Sequence, residues 1–275
     1  MAEVSSSSYL VARDRGLPFR AIPVFLHRRF CHGFIYINTS KGIQKPTDLI
    51  GRKVGIQSFQ VSANLWLRGI LESEYGIAHK SIEWFAELDE DIEFTPPADL
   101  KLSRLRPSDS VEDMLVRGEL DAVMHSDVMA PILNRDPRVG RLFPDFKKGE
   151  EKYYRKVGIF PIMHVMAIRE DAVEKYPWIP INMFRVFNAA KAHAMKRMEN
   201  PRLVPLAWYR EAWEEQEEIL GKDPWEYGLT EKNLNNLETL VRYSHQQGLI
   251  GRQIPMDELF LSVFQGRKRF DEVRI

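Results

Sequence analysis

Lys53-Val54-Gly55-Ile56-Gln57-Ser58-Phe59-Gln60-Val61-Ser62 runs directly into Ala63–Tyr75, and two patterns meet in it. Val54–Ile56 is a short apolar run, introduced by Asp48, Gly51 and Lys53, and reads as a buried strand. Gln57–Gln60 is polar and turn-like. From Ser62 the period is helical. Leu67 and Leu71 are four apart, as are Trp66 and Ile70, and Gly76 stands where a helix would stop. A strand that turns into a helix in this way aims unpaired backbone N–H groups and the positive end of the helix dipole at one point. That point suits a carboxylate or a phosphate. The same pattern is also an ordinary connection in an α/β protein, so it fixes the class and leaves the ligand open.

Composition narrows the classes. At 275 residues the chain suits one large domain or two lobes, and 44% hydrophobic residues provide for a core. Lys+Arg and Asp+Glu both number 39, which argues against nucleic acid as a partner. The single cysteine, Cys31, excludes an internal disulfide framework and fits a reducing compartment. No apolar run is long enough to span a bilayer, and the first residues lack the basic and apolar regions of a secretion signal. The expectation is a cytoplasmic chain with no membrane partner.

Upstream of the quoted stretch, Ser5-Ser6-Ser7-Ser8 precedes Tyr9-Leu10-Val11-Ala12. Serine caps helices through its hydroxyl, so this reads either as a second anion-binding helix start or as a frayed terminus. Phe19–Phe25 is strand-like but interrupted by Pro23, and Phe34–Ile37 is strand-like again. Between them, His27-Arg28-Arg29-Phe30-Cys31-His32 is either a solvated surface loop or a set of cations that grips carboxylates.

Downstream, Ser81–Phe85 reads as a strand and Glu87–Pro107 as a long loop. Asp109 and Glu112 have capping-box spacing at the start of a short helix ending at Gly118. Leu120–Met124 is a buried strand followed by His125-Ser126-Asp127. Ligands in open α/β sheets bind beyond the carboxyl ends of strands, which places Gln57–Gln60 and His125–Asp127 on one cleft edge. His125 also has a plain structural reading. Pro131–Phe146 reads as loop with a short helix, and Ile159–Ile168 as an apolar strand whose His164 suits a core or a ligand. The remainder is helical over Asn182–Met198, with Phe184, Phe187, Ala190 and Ala194 on one side, then Trp208–Leu220 and Thr230–Gln247. This order predicts two lobes with the middle block inserted. Residues 1–38 and 160–275 form the first, residues 39–159 the second, and the ligand lies between them.

The arrangement resembles the 4,5-dihydroxyphthalate decarboxylase family, whose fold is that of type II periplasmic binding proteins. The stretches that carry the resemblance are Glu3–Tyr9, Ile22–Phe25, His32–Tyr36, Asp48–Gly55, Gly118–Ala122, Gly158-Ile159-Phe160-Pro161-Ile162-Met163-His164 and Tyr243-Ser244-His245-Gln246-Gln247-Gly248-Leu249. The last two are the most specific. Cys31 stands where the family would carry an arginine, and His125-Ser126-Asp127 departs from its usual residues. The resemblance also places the family's opening strand and helix before Met1, so the first lobe is expected to be N-terminally incomplete, with an open sheet edge that leaves homo-oligomerisation open.

The resemblance implies non-oxidative decarboxylation of a hydroxylated aromatic dicarboxylate such as 4,5-dihydroxyphthalate. Losing CO2 from an arene leaves an aryl carbanion unless the ring carbon is protonated first. A para hydroxyl, once deprotonated, sends electron density to that carbon. The site therefore needs a base, an acid and a clamp on the carboxylate that stays. His32 and His164 are the acid–base candidates. Ser7, Ser8, Arg28, Arg29, Gln57, Ser58, Gln60 and His125 are the candidate substrate contacts. No cofactor is expected. No histidine pair or Cys-x-x-Cys has metal-ligand spacing and no Gly-rich phosphate loop appears, although ligands from distant positions leave a divalent metal open. Two other functions fit the same fold. One is a non-catalytic carboxylate-binding protein of the ABC-transporter solute-binding type, and the other an enzyme of the menaquinone pathway acting on chorismate-like acids.

Overall fold

The switch from strand to helix at Gln57–Ser62 recurs along the chain and sets the architecture. The computed structural model describes residues 1–263. In order, it holds β1 (Ala2–Ser5), α1 (Ser6–Asp14), β2 (Phe19–Ile22), β3 (Ile35–Asn38), β4 (Lys53–Ile56), α2 (Ser62–Tyr75), β5 (Glu83–Ala86) and β6 (Leu102–Arg104). There follow α3 (Val111–Arg117), β7 (Ala122–Met124), α4 (Ala130–Leu133), β8 (Val139–Arg141), α5 (Phe146–Val157), β9 (His164–Arg169) and α6 (Glu170–Lys175). The chain continues through α7 (Ile179–Met198), α8 (Tyr209–Leu220), α9 (Glu231–Gln246) and α10 (Met256–Leu259).

The strands fall into two sheets. A six-stranded sheet has the order β6-β5-β4-β7-β3-β8, and a three-stranded sheet the order β1-β9-β2. In the larger sheet β6, β5, β4 and β7 are parallel, and β3 is antiparallel to both of its neighbours. Both partners of β9 are antiparallel to it. The boundary expected at residue 38 moves accordingly. Ile35–Asn38 is buried throughout and pairs with β7 and β8, so it belongs with the middle block. Residues 264–275 of the expected first lobe lie outside the described residues.

Local chemistry explains the quoted stretch. Gly55 sits in β4 because a Cβ there would come within 2.7 Å of Leu120 and 2.9 Å of Val111. Gly76 closes α2 in the left-handed conformation, at φ 67°, which costs glycine nothing. Other expectations need correction. α3 is capped by Ser110, whose side chain accepts from Asp113 N, and not by Asp109. α5 occupies a stretch not read as helix, and β6 and β8 lie in stretches read as loop. On α7, Ala190 and Ala194 face solvent while Phe184 and Phe187 turn inward.

The sheets are joined by residues 23–34 and 158–163, and within them residues 27–29 run antiparallel to residues 161–163. Arg28 bridges Ile162, Arg29 N donates to Pro161 O at 3.0 Å, and Met163 N donates to His27 O at 2.9 Å. α2 covers this junction, and its Trp66 Nε1 donates to Ile162 O at 2.9 Å. No helix among the described residues is long and apolar enough to cross a membrane.

Candidate active site

Two helix starts meet at the junction of the sheets. β1 ends at Ser5, opposite His164 on β9, and Ser5 caps α1. Ser62, the first residue of α2, stands against it. Its Oγ lies 2.8 Å from Ser5 Oγ and 3.2 Å from Ser6 Oγ, and accepts from Ser7 N at 3.1 Å. Ser7 Oγ is buried in the same junction without a hydrogen-bond partner. Both helix dipoles therefore point into one region.

Beside these helix starts lies a cluster of ionisable groups. His27 and His164 face each other edge to face, with ring centroids 4.8 Å apart. His164 Nδ1 is 2.8 Å from Glu3 Oε1 on the paired strand β1. Arg29 stands two residues from His27 on the same side of the extended crossing, since side chains alternate along such a segment. Its guanidinium covers the Phe34 ring at 3.7 Å and lies 3.9 Å from Asp127 Oδ1. Burial, helped by His164 and Arg29, holds the His27 imidazole below its ordinary 6.5, against the pull of Glu3 and Asp127. A neutral imidazole beside a carboxylate-bound one is a base next to a donor.

The expected site residues divide. His164 and Arg29 belong to this cluster. Gln57 and His125 lie at its edge, where β4 and β7 end in register. Gln57 Oε1 accepts from Ser126 Oγ at 2.6 Å, and His125 Nδ1 accepts from Asp127 N at 3.0 Å. Ser7 and Ser8 sit at the start of α1, with Ser8 Oγ donating to Asp91 Oδ2 at 2.7 Å. Ser58 and Gln60 are buried. Ser58 O accepts from Asn64 Nδ2, and the Gln60 amide exchanges hydrogen bonds with the Ile92 backbone.

Arg28 and His32 are corrections. Alternation turns Arg28 to the opposite side from Arg29, where its buried guanidinium donates to Phe160 O, Glu226 O and Asn233 Oδ1. His32 is 1% exposed, packed between Phe143 and Tyr153, and neither ring nitrogen has a hydrogen-bond partner. Burial pushes its imidazole down to about 4 and pushes the neighbouring Glu150 carboxyl up to about 7. Both are groups of the core. Cys31 is equally buried and its thiol is pushed up to about 12, so it offers no nucleophile at neutral pH. Sequence reasoning missed Glu3 altogether, and it put His27 in the cationic loop and Asp127 at the cleft edge without naming either as a candidate contact. The i, i+2 spacing of His27 and Arg29 is the signal that pairs them. Among the described residues, no group of three or more His, Cys, Asp or Glu side chains is arranged to hold a metal ion.

Two sheets joined at a polar junction where two helix starts meet make an α/β fold like that of the periplasmic solute-binding proteins. The putative sulfonate-binding protein SsuA of Methylobacillus flagellatus has this fold, with a TM-score of 0.58 at 12% identity over 94% of this chain and 71% of that one. Residues 1–88 match the family model described as NMT1/THI5 like. The sequence is 31% identical over 269 residues to a 4,5-dihydroxyphthalate decarboxylase of Comamonas testosteroni, covering 94% of this chain and 81% of that protein. It is 33% identical over 162 residues to the Pseudomonas putida protein of the same name, covering 56% and 63%. The chain belongs to the 4,5-dihydroxyphthalate decarboxylase family.

Proposed function

We propose that this chain is a non-oxidative aromatic carboxy-lyase that removes CO2 from a hydroxylated aromatic dicarboxylate of the 4,5-dihydroxyphthalate type. Family membership supports the reaction. The single observation that carries the assignment of roles is the His27–His164–Glu3 arrangement beside Arg29.

His27, held toward its neutral form, takes the proton of the hydroxyl para to the departing carboxylate. Electron density reaches the ring carbon, and His164 as imidazolium protonates it. Glu3, 2.8 Å from His164 Nδ1, fixes the ring. The carbon–carboxylate bond then breaks, CO2 leaves, and its electron pair restores the aromatic ring. The phenolate so formed takes its proton back from His27, and His164 recovers from solvent the proton it gave to the ring carbon. Arg29 and the two helix starts hold the second carboxylate throughout.

Incubation of the purified protein with 4,5-dihydroxyphthalate should release CO2 and yield the monocarboxylate. Phthalate, which lacks the hydroxyls, should bind and not react. Saturable binding of both acids without turnover would instead favour a carboxylate-binding protein.

A further inference from the structure

The turn before α2 already holds a carboxylate, and it is the protein's own. Glu90 Oε1 accepts from Phe59 N at 2.6 Å, and Oε2 accepts from Gln60 N at 2.8 Å. The positive end of α2 stands behind this pair. So does Arg68, which is 1% exposed and lies over the Phe59 ring at 3.6 Å. Arg68 donates to Phe59 O at 2.6 Å and to Gln247 Oε1 at 2.7 Å, and its Nη1 has no partner. A buried cation, a helix start and two adjacent N–H groups are the components of a carboxylate site. The neighbouring Ser7 Oγ, also buried and unpartnered, extends the same polar junction. Glu90 belongs to the segment 87–94, which crosses both helix starts. Asp91 reaches Ser8, Ile92 meets Gln60, and Phe94 stacks on Phe59 with centroids 5.7 Å apart. Leu88, Asp89, Asp91 and Glu93 on this segment are exposed.

We propose that the N–H pair of Phe59 and Gln60 is a seat for a carboxylate of the aromatic acid, held in the free protein by Glu90. The ligand enters by displacing Glu90 and lifting residues 88–91, while Ile92 and Phe94 stay packed. The inference rests on reading the cleft as a site for an aromatic dicarboxylate. Two features favour exchange over coexistence. The seat has one pair of donors, and Glu90 and Asp91 left in place would oppose a dianion in the same cleft.

The test is calorimetric titration of phthalate into the wild-type chain, Glu90→Gln and Glu90→Ala. Removing the internal competitor should tighten binding about 3- to 30-fold, because a ligand no longer loses affinity to the occupied form. Hydrogen exchange of the wild type should show residues 88–91 opening when phthalate binds, with the Phe59 and Gln60 amides still protected. Equal or weaker affinity in both folded variants, or no opening of residues 88–91, overturns the proposal. If Glu90→Ala does not fold, Glu90→Gln keeps the side chain's size and carries the test. Wild-type turnover of 4,5-dihydroxyphthalate with unaltered phthalate affinity in the variants refutes the seat and not the site. Tighter phthalate binding in the variants without any turnover upholds the seat and refutes the decarboxylase reading.

Discussion

His27 and His164 differ in what surrounds them, and that difference assigns their tasks. His27 is pushed toward neutrality by burial and by its neighbours His164 and Arg29, whereas His164 holds a carboxylate at 2.8 Å. Replacing His164 by Ala should lower kcat by about 10²–10⁴-fold with little change in KM, since the lost group acts on a proton. The acid limb of kcat/KM should lie below pH 6.5, because the base stays neutral to lower pH than free histidine. An unchanged rate in His164→Ala would return this residue to a packing role. Arg29→Ala should weaken phthalate binding by about 1.5–3 kcal/mol, roughly 10- to 150-fold in Kd, as expected for a charged hydrogen bond. His32 and Glu150 act on stability instead. The folded His32 takes its proton at about 4 instead of 6.5, so stability falls as pH drops from 6.5 toward 4. The folded Glu150 keeps its proton to about 7 instead of 4.5, so stability falls as pH rises from 4.5 toward 7. Between about 4.5 and 6.5 the two slopes oppose each other. Glu150→Gln should remove the opposing slope and leave that of His32, a loss of about 2–3 kcal/mol as pH falls from 6.5 to 4.5, to which the lowered His27 and His79 add in the same direction. Denaturant melts across that range check it, and a variant with the wild-type pH dependence would contradict it.

α2 is the element on which most of the site depends, and its packing rests on one missing side chain. A Cβ at Gly69 would lie 2.1 Å from the Tyr243 ring of α9. That ring has little freedom to retreat. Its hydroxyl lies 2.8 Å from Ser73 Oγ, and its edge meets Trp66 at 5.7 Å. Gly69→Ala should therefore destabilise the protein by about 1–3 kcal/mol through overpacking, although alanine is the better helix former by about 1 kcal/mol. A urea midpoint equal to the wild type would refute this contact. The same elements explain what could be read from sequence. β4 and α2 were readable because the period changes within a few residues and Gly76 closes the helix. β6 and β8 have three residues each, too few to show alternation. α5 carries Lys147, Lys148, Glu150, Glu151, Lys152, Arg155 and Lys156 and buries only Tyr153, so its narrow stripe of Phe146, Tyr153, Tyr154 and Val157 is easily lost among the charges. His27 lies on the extended crossing, where alternation sets the side it faces, whereas His32 opens a 3-10 turn over His32–Phe34 that buries it. Only the bridge between Arg28 and Ile162 fixes the side that His27 faces. Glu90 had no local signal at all, because a carboxylate returning to a turn thirty residues earlier is a tertiary fact.

Two sheets joined by two crossings suggest lobes that swing, but the core runs through both. One hydrophobic cluster contains Tyr9 and Leu10 of α1, Trp66 and Ile70 of α2, and Leu237 and Leu240 of α9. The same cluster takes in Val54, Ile56 and Trp84 of the six-stranded sheet and Val165 of β9. Separate domains have separate cores, and this chain gives α2 to both sides at once. Prising the sheets apart would expose Trp66 and strip its hydrogen bond from Ile162 O, next to the crossing itself. Unfolding one sheet would strand the α2 face that packs on the other. The expected outcome is a single thermal transition with equal calorimetric and van't Hoff enthalpies, shared by near-ultraviolet circular dichroism and tryptophan fluorescence. Two resolved transitions, or probes that disagree, would show that the lobes have independent stability. A single transition would in turn leave the cleft one economical way to admit a ligand. The chain would move the short exposed segment that lies across the helix starts, and leave the junction beneath it packed.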